Sequence, residues 1–237
     1  MHAQQDQRVL VISGSSGIGF ACARMAAEGG ARVTIASRSA DKLAAAQARM
    51  PSGVAARPLD LTDEAAVQAF FADGPEWDHV IVTGSDVRIA PVRELALDTA
   101  FAAFDSKFWG FYRVARAARI RAGGSLGVVA GFLATRPAPG RALMGAINGA
   151  IESLARGLAL ELRPVRVNVV SPAMVRTEMW DSMAPEARQA TFERVGTAYP
   201  AGRIGEPDDV AAQLLLLAGN GYATGTVVTL DGGASLV

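Results

Sequence analysis

Cysteine, histidine, net charge and long apolar runs are all scarce in this chain, and each scarcity removes a class of function. The one cysteine, Cys22, has no partner for an internal disulfide and reads as a small buried residue on the first helix. The two histidines, His2 and His79, stand far apart and offer no metal-ligand cluster. The 23 basic and 23 acidic residues cancel and neither sign forms a run, so the electrostatic footprint of a nucleic-acid or anionic-membrane binder is missing. No apolar run approaches the roughly 20 residues of a membrane span, and Met1–Gln7 is polar, so the expectation is a soluble, cytoplasmic protein. With hydrophobic residues at 50% and charged residues at 19% of 237, the composition is instead that of one folded domain with a large core.

What the chain does have is an alternation of short apolar runs and helical stretches. Arg8–Ile12 is an aliphatic, β-branched run that stops at Ser13–Gly19, and Phe20–Glu28 follows with helical spacing before Gly29–Gly30. The order repeats as strand Arg32–Ala36, helix Ala40–Met50, strand Val54–Leu59, helix Thr62–Ala72 and strand His79–Thr83. Then come a long helix over Asp98–Ala122, strand Ser125–Ala130, helix Gly140–Leu162, strand Arg166–Val170, helix Pro207–Ala218 and strand Thr226–Leu230. The strands are apolar throughout rather than alternating, as expected when helices cover both faces. Seven strands and six helices in this order predict an α/β fold: a single Rossmann-type doubly wound domain over residues 1–237, with a seven-stranded parallel sheet and right-handed crossovers. Residues 177–200, with Trp180, Met183, Phe192 and Tyr199, stand outside the alternation. They read either as a substrate lid over the ligand crevice or as an ordinary packed helical excursion.

The turn Ser13-Gly14-Ser15-Ser16-Gly17-Ile18-Gly19 falls between the first strand and the first helix. A dinucleotide fold needs close backbone approach to a pyrophosphate there, with the helix N-terminus offering free N–H groups and a positive dipole end. The alternative is a glycine turn that serves only tight strand-to-helix packing. Strand two ends in Ala36-Ser37-Arg38-Ser39, with no carboxylate to bind the ribose 2′-hydroxyl of NAD. Arg38 and the serines suit a 2′-phosphate, so NADP is the expected cofactor and NAD the less favoured one; otherwise Arg38 is a solvated surface residue.

Taken together, Ser13–Gly19, Asp60 after strand three, Asp78–Ser85 at strand four, Ser171-Pro172 after strand six and Asp231-Gly232-Gly233 resemble the short-chain dehydrogenase/reductase family over nearly the whole chain. The family turn Thr-Gly-x-x-x-Gly-x-Gly keeps its last two glycines here as Gly17 and Gly19, with Ile12 and Ser13 at the opening pair and Pro172-Ala173 in place of Pro-Gly. By this resemblance Asp60 and Leu61 border the adenine, Gly84 lies along the ribose, and Val175 and Thr177 meet the nicotinamide amide.

The resemblance also implies a tyrosine acid, a lysine, a serine and an asparagine, and all four positions differ. Met144 falls on the tyrosine, Asn148 on the lysine, Gly131 on the serine and Lys107 on the asparagine. A thioether cannot donate a proton. Lysine and asparagine have thereby exchanged helices, and Lys107 with Asn148 over one crevice are the catalytic candidates, Lys107 as proton donor or substrate-binding cation. A structural lysine bonded to a strand carbonyl is the alternative. Tyr112 is expected in the core or at a subunit contact, and Tyr199 is the other hydroxyl donor near the crevice. Arg136 and Arg141 face either an anionic substrate or water.

The functions that follow are an NADP(H)-dependent oxidoreductase acting on a carbonyl or alcohol, a catalytically silent NADP-binding sensor or regulatory protein, and a non-redox enzyme using the same pocket. The resemblance further implies a homodimer or homotetramer built on the two long helices, where Gly145, Ala146, Gly149, Ala150 and Ser153 would permit close approach.

Overall fold

A computed structural model describes residues 5–84 and 90–237; His2 and Ser85 lie outside them. One parallel sheet of seven strands has the order β3-β2-β1-β4-β5-β6-β7, so the chain reverses direction of growth between β1 and β4. The strands are β1 (Arg8–Ile12), β2 (Arg32–Ser37), β3 (Ala55–Pro58), β4 (Trp77–Val82), β5 (Ile120–Val129), β6 (Arg166–Pro172) and β7 (Val227–Leu230). Among the described residues the α-helices are α1 (Gly17–Glu28), α2 (Ala40–Gln47), α3 (Glu64–Ala72), α4 (Leu97–Phe104), α5 (Gly110–Ala117), α6 (Ala142–Glu161), α7 (Pro185–Ala198) and α8 (Pro207–Gly219). Among the described residues no helix is long and apolar enough to cross a membrane, and no group of three or more His, Cys, Asp or Glu is placed to hold a metal.

The unbroken apolar strands have the cause expected of them: each face of the sheet is a core. Leu10, Ile12, Val80, Val82, Leu126 and Val128 point to one side, where Phe71 of α3, Phe111 of α5 and Ile147 and Ile151 of α6 pack. Val9, Val11, Val33, Ile35 and Ile81 point to the other, against Cys22 of α1, Leu43 of α2 and Leu214 of α8. Cys22 is wholly enclosed, and burial pushes its thiol up to about 12, so it is an inert core residue. Register carries this alternation across the sheet, with Val9 beside Val33, Val11 beside Ile35 and Leu10 beside Val80.

The long helix over Asp98–Ala122 is the main correction. The helical stretch starts at Leu97, opens into a five-residue π turn over Asp105–Trp109, resumes as α5 and stops at Ala117. Ile120–Ala122, expected at its end, begins β5, with Ile120 opposite Trp77. Alanine and arginine favour a helix wherever packing does not decide, so the Ala117–Ala122 segment reads as helix in isolation; pairing with β4 decides otherwise. The register then shifts between Trp77 and His79, and Gly124 is needed there because a Cβ would lie 2.4 Å from the Asp78 carbonyl oxygen. The α-helices exceed the six expected because residues 177–200 contain α7 and the long helix divides.

Two buried polar side chains tie the sheet to its surroundings. Arg166, at the start of β6, donates to the carbonyls of Leu217 and Asn220 at 2.8 Å each and to that of Ala218, closing the C-terminus of α8 with a cation. His79, 2% exposed, accepts from the Ser125 hydroxyl at Nδ1 (2.8 Å) and donates from Nε2 to the Gln7 amide oxygen (2.8 Å). Burial, followed by the nearby Arg166, lowers its pKa to about 4.

His79 therefore folds neutral and charges readily only in the unfolded chain. Its contribution is fully present above the unfolded pKa of 6.5 and is lost as pH falls from there to about 4, amounting to about 3 kcal/mol at most. Urea unfolding across this range should show stability falling toward acid, and His79→Gln should flatten that slope; an equal slope in the variant would assign it to other groups.

Candidate functional site

The crevice lies at the C-terminal ends of β1 and β4, where strand order reverses and open α/β sheets bind ligands. Its shape depends on three positions with no room for a side chain. A Cβ at Gly19 would lie 2.2 Å from the Ser13 carbonyl oxygen and 2.6 Å from Thr83 Oγ1. One at Gly84 would lie 2.5 Å from Ser13 Cβ, and one at Gly14 2.7 Å from Ile35 Cγ2. Ser13 itself takes φ 63°, a left-handed conformation rare for serine, and donates its N–H to Ala36 at 2.7 Å. The chain is thus turned tightly from β1 into α1 against the ends of β2 and β4.

At the mouth of α1, Gly17 has φ 50° and Ser16, at the N-cap, makes no side-chain capping bond. The first turn carries no acidic residue, so its N–H groups and positive dipole end are left for an anion. Ser15 and Ile18 are half-buried within the same turn. Across the crevice, Ser37 closes β2 with a buried hydroxyl that has no hydrogen-bond partner. Beside it Arg38 is exposed, while Ser39 is occupied in capping α2 through the Lys42 N–H at 3.2 Å. A polar ligand at the end of β2 would satisfy the Ser37 hydroxyl, and a phosphate would suit Arg38.

The other expected contacts have visible local roles. Asp60 Oδ1 accepts from the Thr62 N–H (2.9 Å) and hydroxyl (2.8 Å), forming the turn after β3. Leu61 packs under Gly110, where a Cβ would stand 3.0 Å from Leu61 Cβ, and its carbonyl accepts from Arg113 at 3.1 Å. Pro172 closes β6 in a buried position. Val175 is buried and bridges to Gly205, its carbonyl accepting from the Trp180 indole at 2.9 Å. Thr177 lays its methyl group over Gly17, 3.2 Å from where a Cβ would be.

Residues 177–200 follow as a short 3-10 turn, Glu178–Trp180, and α7. Their aromatic residues pack on one another: Trp180 meets Phe192 edge-on at 6.4 Å and Arg176 lies 4.6 Å over the Phe192 ring. Between this segment and α1 lies a cavity of about 410 Å³, lined by Gly17, Phe20, Arg24, Thr177, Glu178 and Phe192 among others. Tyr199 is held against the Met174 N–H at 3.5 Å, and burial raises its pKa.

On the β5 side, the structure brings Lys107, Asn148 and Gly131 together. Lys107, in the π turn, donates from Nζ to Asn148 Oδ1 at 2.7 Å and to the Ala130 carbonyl at 3.2 Å. Burial lowers its pKa to about 8. Asn148, 2% exposed, fills the space beside Gly131, where a Cβ would lie 2.6 Å from Asn148 Nδ2. Met144, one turn earlier on α6, is buried. One turn later Glu152 accepts from the Ser171 hydroxyl at 2.6 Å, a buried pair that sequence reasoning missed although Asn148 and Glu152 stand four apart on an otherwise apolar helix face. Tyr112 is 41% exposed beside Trp109, away from the core, and Arg136 donates to the Val237 main-chain oxygen. Gly145 is used within the chain, since a Cβ would stand 2.8 Å from the Leu133 carbonyl oxygen.

These features define a dinucleotide-type α/β domain with its crevice at the switch point. A family model described as enoyl-(acyl carrier protein) reductase matches residues 12–235. Galactitol 2-dehydrogenase (L-tagatose-forming) of Cereibacter sphaeroides is 34% identical over 239 residues, 94% of this chain and 92% of that protein. A short-chain dehydrogenase/reductase of Stachybotrys chlorohalonatus is 31% identical over 97% of each chain. Among solved structures, the MalC reductase/Diels-Alderase of Malbranchea aurantiaca superimposes with a TM-score of 0.92 at 28% identity, covering 100% of this chain and 99% of that one. A small-chain dehydrogenase in complex with NADPH gives 0.84 at 32%, covering 98% and 100%. The chain belongs to the short-chain dehydrogenase/reductase family, whose members are nicotinamide-dependent oxidoreductases.

The Gly131–Asn148 contact yields a stability prediction. Gly131→Ala drives a methyl group into the Asn148 amide and should cost about 1–3 kcal/mol in urea unfolding. With Asn148→Ala the space is open, so the double variant should lose less than the sum of the two singles, by about 0.5–3 kcal/mol. Additivity would show that the two positions do not compete for that space.

Proposed function

We propose that the protein is an NADP(H)-dependent oxidoreductase acting on a carbonyl or alcohol substrate through an atypical active site. The observation that carries the cofactor choice is the end of β2, where a buried, unpartnered Ser37 hydroxyl adjoins Arg38 and no carboxylate is present to take a ribose 2′-hydroxyl. The similar dehydrogenase solved with NADPH supports the same choice. In this reading the pyrophosphate sits on Ser13, Gly14, Ser15, Ser16, Gly17, Ile18 and Gly19 at the mouth of α1, the 2′-phosphate on Ser37 and Arg38, and the adenine beside Asp60 and Leu61. Gly84 borders the ribose, and Pro172, Val175 and Thr177 border the nicotinamide. The bound cofactor supplies or accepts the hydride. Residues 177–200 act as the lid, closing the cavity beside Gly17.

A catalytically silent NADP-binding sensor is the second reading, favoured by Met144, Asn148, Gly131 and Lys107 at the four positions where relatives place their acid-base residues. Turnover of NADPH with any carbonyl decides between the two.

Titration calorimetry tests the cofactor assignment. NADPH should bind more tightly than NADH, and Arg38→Ala should weaken NADPH by tens of fold, the equivalent of about 1.5–3 kcal/mol for a charge-assisted phosphate contact, with NADH unaffected. Equal loss for both nucleotides would place Arg38 away from the 2′-position.

A homodimer or homotetramer is part of the same proposal. Phe101, Trp109 and Tyr112 are 69%, 46% and 41% exposed along the α4–α5 stretch, an aromatic row suited to a second copy of the chain. Light scattering should give two or four times the chain mass, and Phe101→Asp should shift it toward one; a monomer in the unmodified protein would remove this element.

A further inference from the structure

Arginine supplies nearly all the positive charge of this chain: of its 23 basic residues, two are lysine, Lys42 and Lys107. Lys42 is exposed on α2. Lys107 sits instead at the C-terminal edge of the sheet, beside the residue that follows β5. An arginine does not release its proton in a protein, whereas a lysine does once it is partly desolvated.

The surroundings of Lys107 agree with that use. Both acceptors of its ammonium, Asn148 Oδ1 at 2.7 Å and the Ala130 carbonyl at 3.2 Å, are neutral, and no carboxylate among the described residues forms an ion pair with it. Two of its three donors are thus taken, and among the described residues the third has no protein acceptor. A partly buried cation held only on neutral oxygens is costly until a developing oxyanion approaches. Ala130 donates its N–H to Val170 of β6 at 3.0 Å, which fixes the ammonium to the same sheet edge as the Ser13 turn, Gly84 and Pro172. The π turn that carries Lys107 is a local departure of the kind that concentrates at functional sites.

We propose that Lys107 is the proton donor to the substrate carbonyl oxygen, and that Asn148 is the positioning residue that holds its ammonium in place, with Gly131 leaving Asn148 the room to do so. This deepens the reductase reading and rests on it. As hydride reaches the carbonyl carbon, the carbonyl π pair moves to oxygen. The Lys107 Nζ–H bond then breaks with its electron pair staying on nitrogen, the proton forms the new O–H bond, and the neutral amine regains a proton from solvent. A pKa near 8 suits this exchange at neutral pH.

The test uses the full chain with Lys107→Met, Lys107→Arg and Asn148→Asp. Calorimetry with NADPH comes first: binding by the unmodified protein and by Lys107→Met alike is expected, and no binding by the unmodified protein overturns the reductase reading itself. Trace acetylation with acetic anhydride, read by peptide mass spectrometry, then follows the two lysines against pH without any substrate. Lys107 should reach half its reactivity near pH 8, well below the ordinary lysine value, and Asn148→Asp should move that midpoint upward by placing a carboxylate on the ammonium. A Lys107 that titrates at the ordinary lysine value of 10.5 overturns the proposal. Finally, NADPH oxidation is measured with fructose, ethyl acetoacetate and 2,3-butanedione. The rate should fall about tenfold per pH unit above pH 8, and Lys107→Met and Lys107→Arg should each lose about 10²–10⁴ in kcat together with that limb. Full activity with an unchanged pH profile in Lys107→Met leaves the reductase reading standing and overturns the role of Lys107. Absence of turnover by the unmodified, NADPH-binding protein overturns both.

Discussion

The contact between the ends of β1 and β4 is the constraint on which the rest of the structure depends. Ser13 can turn out of β1 in a left-handed conformation only because Gly19, Gly84 and Gly14 present no side chain to it, to Thr83 or to Ile35. Were any of them larger, α1 would have to lift from the sheet, and the crevice would lose its floor. The large apolar core on both faces holds the sheet against its helices, but the three missing side chains decide where its opening lies. That explains why an anion-accepting helix mouth and an unpartnered serine hydroxyl occur on the same edge, at the strand reversal.

A second interlock sits across that edge. Lys107, Asn148 and Gly131 are far apart in sequence and mutually dependent in space. The lysine needs the asparagine oxygen, and the asparagine needs the absence of a side chain at residue 131. A side chain at residue 131 would collide with Asn148 as it stands, so neither position can change size without the other. The three positions act as one unit.

Periodicity made much of this legible. Six of the seven strands were expected within two residues of their observed ends because apolar runs buried on both faces leave an unambiguous trace. The glycine turn was legible because its residue types are tied to backbone geometry. The segment from Asp98 to Ala122 was not, since alanine and arginine satisfy a helix as well as a strand edge and only Trp77, opposite Ile120, decides between them. Gly145 shows the same limit: its smallness reads as a surface for another chain, yet it accommodates Leu133 of its own. The Glu152–Ser171 pair joins a helix to a strand, a contact that neither segment announces.

The sequence by itself determined the layer order, the parallel sheet and the place of the crevice, because these follow from hydrophobic period and from glycines whose conformations few other residues adopt. Only the tertiary structure decided that the long helix breaks at a π turn, that Lys107 and Asn148 meet, and that Gly131 is small for the sake of a neighbouring amide. Those depend on distances of about 3 Å between residues remote in the chain, the range over which a hydrogen bond forms or a methyl group collides.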